Sequence, residues 1–296
     1  MPHVLTLVAA PGALDPVLVN RCRAALEALG ATPGRPDWLA EREAVDLPFQ
    51  GAPDQAAAAA RGALEGAAVD AIATPAEGRR KRLLIADMDS TIVTSETLDE
   101  IAAHAGLKDR IAAITRRSMN GELDFRQALV ERVAMLEGLD TAALEATWAR
   151  TEMMPGAAAL VATMRANGAV CCLASGGFTF FTGRVAERLG FHHHVSNTLL
   201  IEGGRLTGRV AEPVFDRNAK LAALIRLASD NGLPMAATLA VGDGANDLDM
   251  IGAAGLGVAF RAKPVVAAAA RARVDHGDLT ALLYAQGYRR AEFVEG

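Results

Sequence analysis

Cysteine, tryptophan and tyrosine are scarce in this chain: three, two and two in 296 residues. Cys171 and Cys172 sit side by side in an apolar run and Cys22 stands alone in a helical pattern, so neither a disulfide framework nor a metal-ligand spacing can be built from them. They read as small buried hydrophobes. With aromatics at 4% and hydrophobic residues at 51%, the core must be largely aliphatic, and nothing in the composition suggests disorder. No apolar run reaches membrane length, and the opening MPHVLTLVAAPG lacks the charged head and long apolar stretch of a signal peptide. A cytoplasmic protein with no membrane partner is the expectation. Excess positive charge is also missing: the net charge is -5, which argues against a nucleic-acid partner. The short basic cluster Arg79-Arg80-Lys81-Arg82 reads as a solvated segment between domains.

The length suits one large α/β domain with a smaller module. Residues 3–9 form an apolar strand. A helical pattern follows from Asp15 to Leu29, with Val17, Val19, Cys22, Leu26 and Leu29 able to share a face and Gly30 as the stop. Then come a strand-like stretch around Trp38 to Leu47, an Ala-rich helix from about Asp54 to Leu64 and a short strand near Val69 to Ala73. The order βαββαβ over residues 1–78 predicts a ferredoxin-like α+β module and resembles the ACT regulatory domains of amino-acid enzymes. A dimerisation or packing module without a ligand site stays open beside that reading, and with it a homodimer.

From Lys81 the chain alternates between helix and strand. Leu83–Ala86, Ala169–Ala174, Ala237–Val241 and Gly257–Phe260 read as strands of a parallel sheet covered on both faces, a Rossmann-like core. Three of these strands end in polar, Gly-rich loops: Asp87-Met88-Asp89, Ser175-Gly176-Gly177 and Gly242-Asp243-Gly244. Carboxyl ends of strands are where open α/β sheets bind ligands. The first two strands are separated by roughly 80 residues, more than a crossover needs. Helical periodicity over 96–106, 108–118, 124–137 and 141–150 predicts an inserted helical cap, about 94–153, in a domain of 79–296. Such a cap can exclude water from the chemistry below it.

Asp87-Met88-Asp89-Ser90-Thr91 carries the most information. Two carboxylates leave the end of one strand together, and Asp87 is suited to attack phosphorus as a nucleophile. A hard divalent cation, Mg2+, would relieve repulsion between an anionic phosphate and that oxygen. Asp87 and Asp243 are the side-chain ligands expected for it, with the Asp89 backbone carbonyl as a further one. Asp89 is then left for proton transfer, as acid toward a departing alkoxide and as base toward water. Ser175 with Gly176 offers a hydroxyl and amides at a helix N-terminus for phosphate oxygens; a plain strand-to-helix turn would leave the same trace. Lys220 lies near a helix start, where its charge opposes the helix dipole unless the ammonium serves elsewhere. It reads either as surface lysine or as a phosphate-neutralising group beside Asp87. In Gly242-Asp243-Gly244-Ala245-Asn246-Asp247, Asn246 is placed to bond phosphate and Asp247 to bond Lys220.

These four motifs, in this order, resemble those of the haloacid dehalogenase superfamily, and the detailed strings over residues 83–285 resemble its phosphoserine phosphatases. The resemblance implies Mg2+, an aspartyl-phosphate intermediate and a helical cap. It also bears on substrate. Leu129, Arg132 and Leu136 follow Phe125 on one helical face, so Arg132 interrupts an apolar stripe and either snorkels at its edge or meets a carboxylate. By resemblance, Glu96 and Arg132 hold the amino and carboxylate groups of phosphoserine, with Met119 and Phe125 as apolar walls. A phosphatase or phosphotransferase acting on phosphothreonine, homoserine phosphate or another small phosphomonoester is the alternative. A non-catalytic amino-acid sensor is the other class, and the presence of Asp87, Asp89 and Asp243 speaks against it. His192, His193 and His194 read as a structural or solvated turn. NTLLI and RLTGRV, joined at Glu202-Gly203-Gly204, read as a hairpin.

Overall fold

The computed structural model describes residues 2–120 and 122–296, and of Met119 only the backbone. The amino-terminal module consists of β1 (His3–Ala9), α1 (Pro16–Ala28), β2 (Asp37–Ala40), β3 (Ala44–Phe49), α2 (Pro53–Ala63) and β4 (Val69–Pro75). Its sheet is antiparallel with the order β2-β3-β1-β4, the arrangement expected of a ferredoxin-like fold. The stretch from Trp38 to Leu47 is two strands, divided by a turn in which Arg42 takes φ +52. On α1 the buried stripe is Val19, Cys22 and Leu26. Val17 and Leu29, expected on the same face, are 58% and 48% exposed, because Val17 lies on the opposite side of the helix from that stripe and Leu29 caps the helix beyond its last turn.

Side chains alternate across β1. Leu5 and Leu7 face α1 and α2, packing with Cys22, Leu26 and Ala60. On the opposite face, Val8 joins Ala44 and Ile72 in the core of the larger domain. The module's sheet is therefore covered on both sides, by its own helices and by the rest of the chain.

Arg79 and Lys81 of the basic cluster are taken up in this contact, whereas Arg80 and Arg82 are exposed as expected of a solvated segment. The Arg79 guanidinium donates from Nη1 to Asp46 Oδ2 at 2.6 Å, from Nη2 to Thr6 Oγ1 at 2.9 Å and from Nε to the Ala285 carbonyl at 3.3 Å. Arg80 stacks over the Tyr288 ring and pairs with Glu292. Lys81 donates to the carbonyls of Gly78 and Ala236. The physical reason is Asp46, a carboxylate buried on the inner face of the sheet, which needs a donor at that place. Asp70 makes the reverse connection, accepting the backbone amides of Asp275 and Gly277, each at 2.7 Å.

In the larger domain β5 (Leu83–Ala86), β6 (Val170–Phe178), β7 (His193–Asn197), β10 (Thr238–Gly242), β11 (Leu256–Phe260) and β12 (Ala272–Val274) form a parallel sheet of order β12-β11-β10-β5-β6-β7. Between β7 and β10, β8 (Leu199–Glu202) and β9 (Arg205–Val210) pair as the expected hairpin, its Gly203-Gly204 turn holding φ +55 and +77. Both central positions of such a turn require positive φ, which glycine supplies without steric cost. Between β5 and β6 lie α3 (Thr97–Ala103), α4 (Lys108–Met119), α5 (Phe125–Ala134), α6 (Ala142–Ala149) and α7 (Ala157–Ala166). The remaining helices are α8 (Thr179–Leu189), α9 (Arg217–Asp230), α10 (Leu248–Ala253), α11 (Pro264–Ala269) and α12 (Ala281–Ala285). All four residues of β5 are buried, as its central place demands.

The histidine run is not a turn. His193 and His194 pair with Cys172 and Leu173 as the start of edge strand β7, and the ring of His192 accepts the Cys171 amide at 3.0 Å. Pleating sends successive strand residues to opposite faces. Among the described residues no helix is long and apolar enough to cross a membrane.

Candidate active site

Parallel pairing of β5 with β10 sets Ala86 opposite Val241, so the two acidic loops leave the sheet side by side. Beyond Ala86 the chain stays extended, which turns Asp87 and Asp89 to one side and Met88, fully buried in the core, to the other. The loop then folds around the Met88 carbonyl, which accepts the amides of Thr91, Ile92 and Val93. This tight turn drives Ser90 to φ +55, a conformation costly for a residue with a Cβ and typical of functional loops. Thr91 is buried within the turn, its hydroxyl without a protein partner.

Lys220 is 1% exposed, in the first turn of α9, and not on the surface. Its Nζ lies 2.6 Å from Asp87 Oδ1 and 2.6 Å from Asp247 Oδ1. Burial alone would strip the ammonium of its proton; the carboxylates of Asp247 and Asp87 outweigh this and hold it charged. Asp247 also accepts the Gly244 amide at 3.1 Å. A side chain at position 242 would place its Cβ 2.4 Å from the Asp247 carboxylate, so only glycine fits there. Asp243 pairs with Lys263 at 3.0 Å, a partner the motifs did not reveal.

Oxygen atoms of Asp87, Asp243 and Asp247 lie within 4.8 Å of one another. Burial, reinforced by Asp247, pushes the Asp87 carboxyl well above the usual carboxylate range. Burial and the nearby Glu96 push Asp243 up to about 7. With Asp89 and Glu96, five carboxylates face Lys220, Lys263 and Arg132. That surplus of negative charge suits a hard divalent cation held by oxygen. A phosphate dianion would be repelled unless a cation offset it.

Asp89 Oδ1 accepts the Thr97 amide at 3.0 Å. Burial, then Glu96, pushes its carboxyl up to about 8. Opposite it, β6 runs on through Ser175, Gly176 and Gly177 to Phe178, and α8 starts only at Thr179. The glycines thus belong to the strand end and not to the helix terminus itself. The Ser175 hydroxyl accepts the Gly177 amide at 2.9 Å. A Cβ on Gly177 would come within 2.9 Å of Asp89, and one on Gly176 within 2.6 Å of the Phe125 ring, so the absence of side chains lets the cap and the acid approach. Asn246, with a buried Oδ1 that has no protein partner, also lines the cleft.

The cap completes the enclosure. Arg132 is 3% exposed and borders the cleft, so it does not snorkel. Its Nε donates to the Ala128 carbonyl at 3.0 Å and its Nη1 to Thr115 Oγ1 at 2.8 Å. Thr115 in turn donates to Asp99 Oδ1 at 2.7 Å. Glu96, immediately before α3, borders the same cleft and accepts the Ser90 hydroxyl at 2.8 Å. The side chain of Met119, expected as an apolar wall with Phe125, lies outside the described residues. Asp99 and Thr115 escaped the sequence reading, although Ile111, Thr115 and Ser118 carry the pattern that exposed Arg132: polar residues on a buried helical stripe.

Comparison with known proteins agrees with this geometry. A phosphoserine phosphatase of Streptomyces coelicolor is 44% identical over 240 residues, covering 81% of this chain and 58% of its own length. The chain spans between 52% and 59% of the length of three such curated relatives. A substrate-bound phosphoserine phosphatase complex superposes with a TM-score of 0.67 at 36% identity, covering 69% of this chain and 98% of its own. A haloacid dehalogenase family hydrolase from Salmonella enterica serovar Typhi reaches 0.82 at 27% identity, with 95% of this chain and 98% of the other aligned, amino-terminal module included. Residues 84–252, which hold every motif of the cleft, match the haloacid dehalogenase-like hydrolases, and the chain belongs to that family.

Proposed function

We propose that the protein hydrolyses O-phospho-L-serine to L-serine and phosphate, with Asp87 as nucleophile and Mg2+ as cofactor. The observation that carries the chemistry is Lys220 clasped between Asp87 and Asp247 at the mouth of two adjacent strands, which aims one Asp87 oxygen and leaves the other free. Mg2+, held by Asp87, Asp243 and the Asp89 carbonyl, would offset the charge of the phosphate. Lys220, Ser175, Gly176 and Asn246 take the phosphate oxygens. Asp87 attacks phosphorus and an aspartyl-phosphate forms as the serine oxygen leaves. Asp89 donates a proton to that oxygen. Its raised pKa, about 8, favours the acid form near neutral pH. The resulting carboxylate then accepts a proton from the water that attacks the aspartyl-phosphate, which frees Asp87 and restores Asp89.

The substrate reading is supported by Glu96 and Arg132, one carboxylate and one guanidinium on the cap side of the cleft, suited to an ammonium and a carboxylate on one small molecule. It is also supported by the Streptomyces and substrate-bound relatives, which carry the name phosphoserine phosphatase. On this reading the enzyme closes a route to serine in the cytoplasm. The division into a module of 1–78, a phosphatase domain of 79–296 and a cap of about 94–153 belongs to the same proposal. Burial of the module's inner sheet face favours packing as its role over ligand sensing.

The test is phosphate release from phosphoserine, phosphothreonine, homoserine phosphate and simple phosphomonoesters with and without Mg2+. Expected are a preference for phosphoserine, dependence on Mg2+, loss of activity in Asp87→Asn and selective loss of amino-acid phosphates in Arg132→Ala. Full activity of Asp87→Asn would refute the nucleophile. An equal loss on all substrates in Arg132→Ala would refute the clamp.

A further inference from the structure

We infer that Thr115 and Asp99 are positioning residues that preset the Arg132 guanidinium for a substrate carboxylate. The inference rests on the substrate reading above and goes beyond it, to residues that touch no substrate.

The three side chains come from three cap helices, Asp99 from α3, Thr115 from α4 and Arg132 from α5, and all are buried. A hydroxyl has a single proton to give. Thr115 Oγ1 accepts from Arg132 at 2.8 Å and so directs its proton to Asp99 Oδ1 at 2.7 Å. The chain of donors therefore has one direction, from guanidinium through hydroxyl to carboxylate. Its form matters. A carboxylate paired directly with Arg132 would close on the fork bidentately and compete with the substrate for it. With a hydroxyl between them, Asp99 supplies negative charge nearby while only one Nη1 proton is engaged. The Ala128 carbonyl fixes Nε at 3.0 Å. Rotation of the guanidinium is thus stopped at two points, and Arg132 borders the cleft with N–H groups still unengaged by these two bonds.

The experiment compares kcat/KM for phosphoserine with that for phosphoethanolamine, which has the same phosphate and amine but no carboxylate. Thr115→Val is isosteric and cannot pass the hydrogen bond on. In this variant the ratio of the two kcat/KM values is expected to fall by about tenfold, the usual effect of losing a hydrogen bond to a charged group, mainly through KM for phosphoserine. Thr115→Ser restores the ratio, and Asp99→Asn, which keeps an acceptor but removes the charge, gives a smaller fall. In an Arg132→Ala background Thr115→Val causes no further change in the ratio, because the effect runs through the guanidinium. Should Thr115→Val fail to fold, Asp99→Asn carries the same comparison. An unchanged ratio, or an additive effect in the Arg132→Ala background, overturns the inference alone. A wild-type protein inert toward phosphoserine overturns the substrate reading, and the inference with it.

Discussion

Lys220 shows how a single residue can be read two ways until its surroundings are known. Near a helix start a lysine is mildly unfavourable and usually solvated; here two buried carboxylates make it an internal counter-ion. Asp99 is the complementary case, a buried acid whose side-chain partner, the Thr115 hydroxyl, is neutral. Burial pushes its carboxyl up to about 6 from 3.8, against the pull of the Thr115 hydroxyl. The folded state therefore binds a proton that the unfolded state releases between about pH 4 and pH 6, and this group's contribution worsens as pH rises through that window. Above it the penalty is complete. Asp99→Asn keeps an acceptor for Thr115 and removes the charge, so it should melt a few degrees higher than the wild type at pH 7.5. The gain should shrink as pH falls from 6 toward 4. Thermal unfolding of both proteins across that range checks it, and a gain that does not vary with pH would count against a titrating Asp99.

At the scale of elements, the site is made where the cap meets the strand ends. The Phe125 ring at the start of α5 lies over Gly176, where a Cβ would come within 2.6 Å of it. Gly176→Ala must therefore displace the tip of the aromatic ring, and with it the contact that seats the cap on the strand end. A shift of about 1 Å at a reacting centre can cost about 100-fold in rate. We expect kcat/KM for phosphoserine to drop toward that extent, with partial recovery when Phe125→Leu is added, both measured by phosphate release. Much at this scale was legible in the chain. Leu83–Ala86 is a strand with the limits its apolar run suggested, and the four cap helices lie where their periodicity put them. Asp87 and Lys220 meet although 133 residues separate them, and Asp243 joins them because neighbouring parallel strands bring the loops at their carboxyl ends to one edge of the sheet, which the polar endings of the apolar runs signalled. Other features left no such trace. Lys263 meets Asp243 only through the fold of the loop after β11. The edge strand β7 is His-rich and partly exposed, so it shows neither apolar run nor clear alternation.

For the molecule as a whole, the decisive misreading concerned Arg79 and Lys81 in the basic cluster between module and domain. Charge alone suggests solvent; what the sequence does not display is that Asp46, forty residues from Thr6 and buried beside it, waits across the sheet for a cation. Arg79 serves both, and also the carbonyls of Tyr284 and Ala285 in the last helix. Arg79→Ala would leave Asp46 buried without its cation, a loss of about 3 to 5 kcal/mol for pairs of this kind. Lysine should not replace it, since a single ammonium cannot span these acceptors. Calorimetry is expected to show a lower melting temperature in both variants, and wild-type stability in Arg79→Lys would refute the role of the fork. The same contact determines how the chain responds to being cut. Glu77 and Gly78 are exposed, yet the residues on either side are held by Asp46, by Gln286, which accepts the Lys81 amide, and by the amides that Asp70 gathers. A protease that nicks this peptide severs the covalent link while leaving those contacts in place, so the two fragments persist as one particle in which the seam between polypeptides is no longer the seam between folding units.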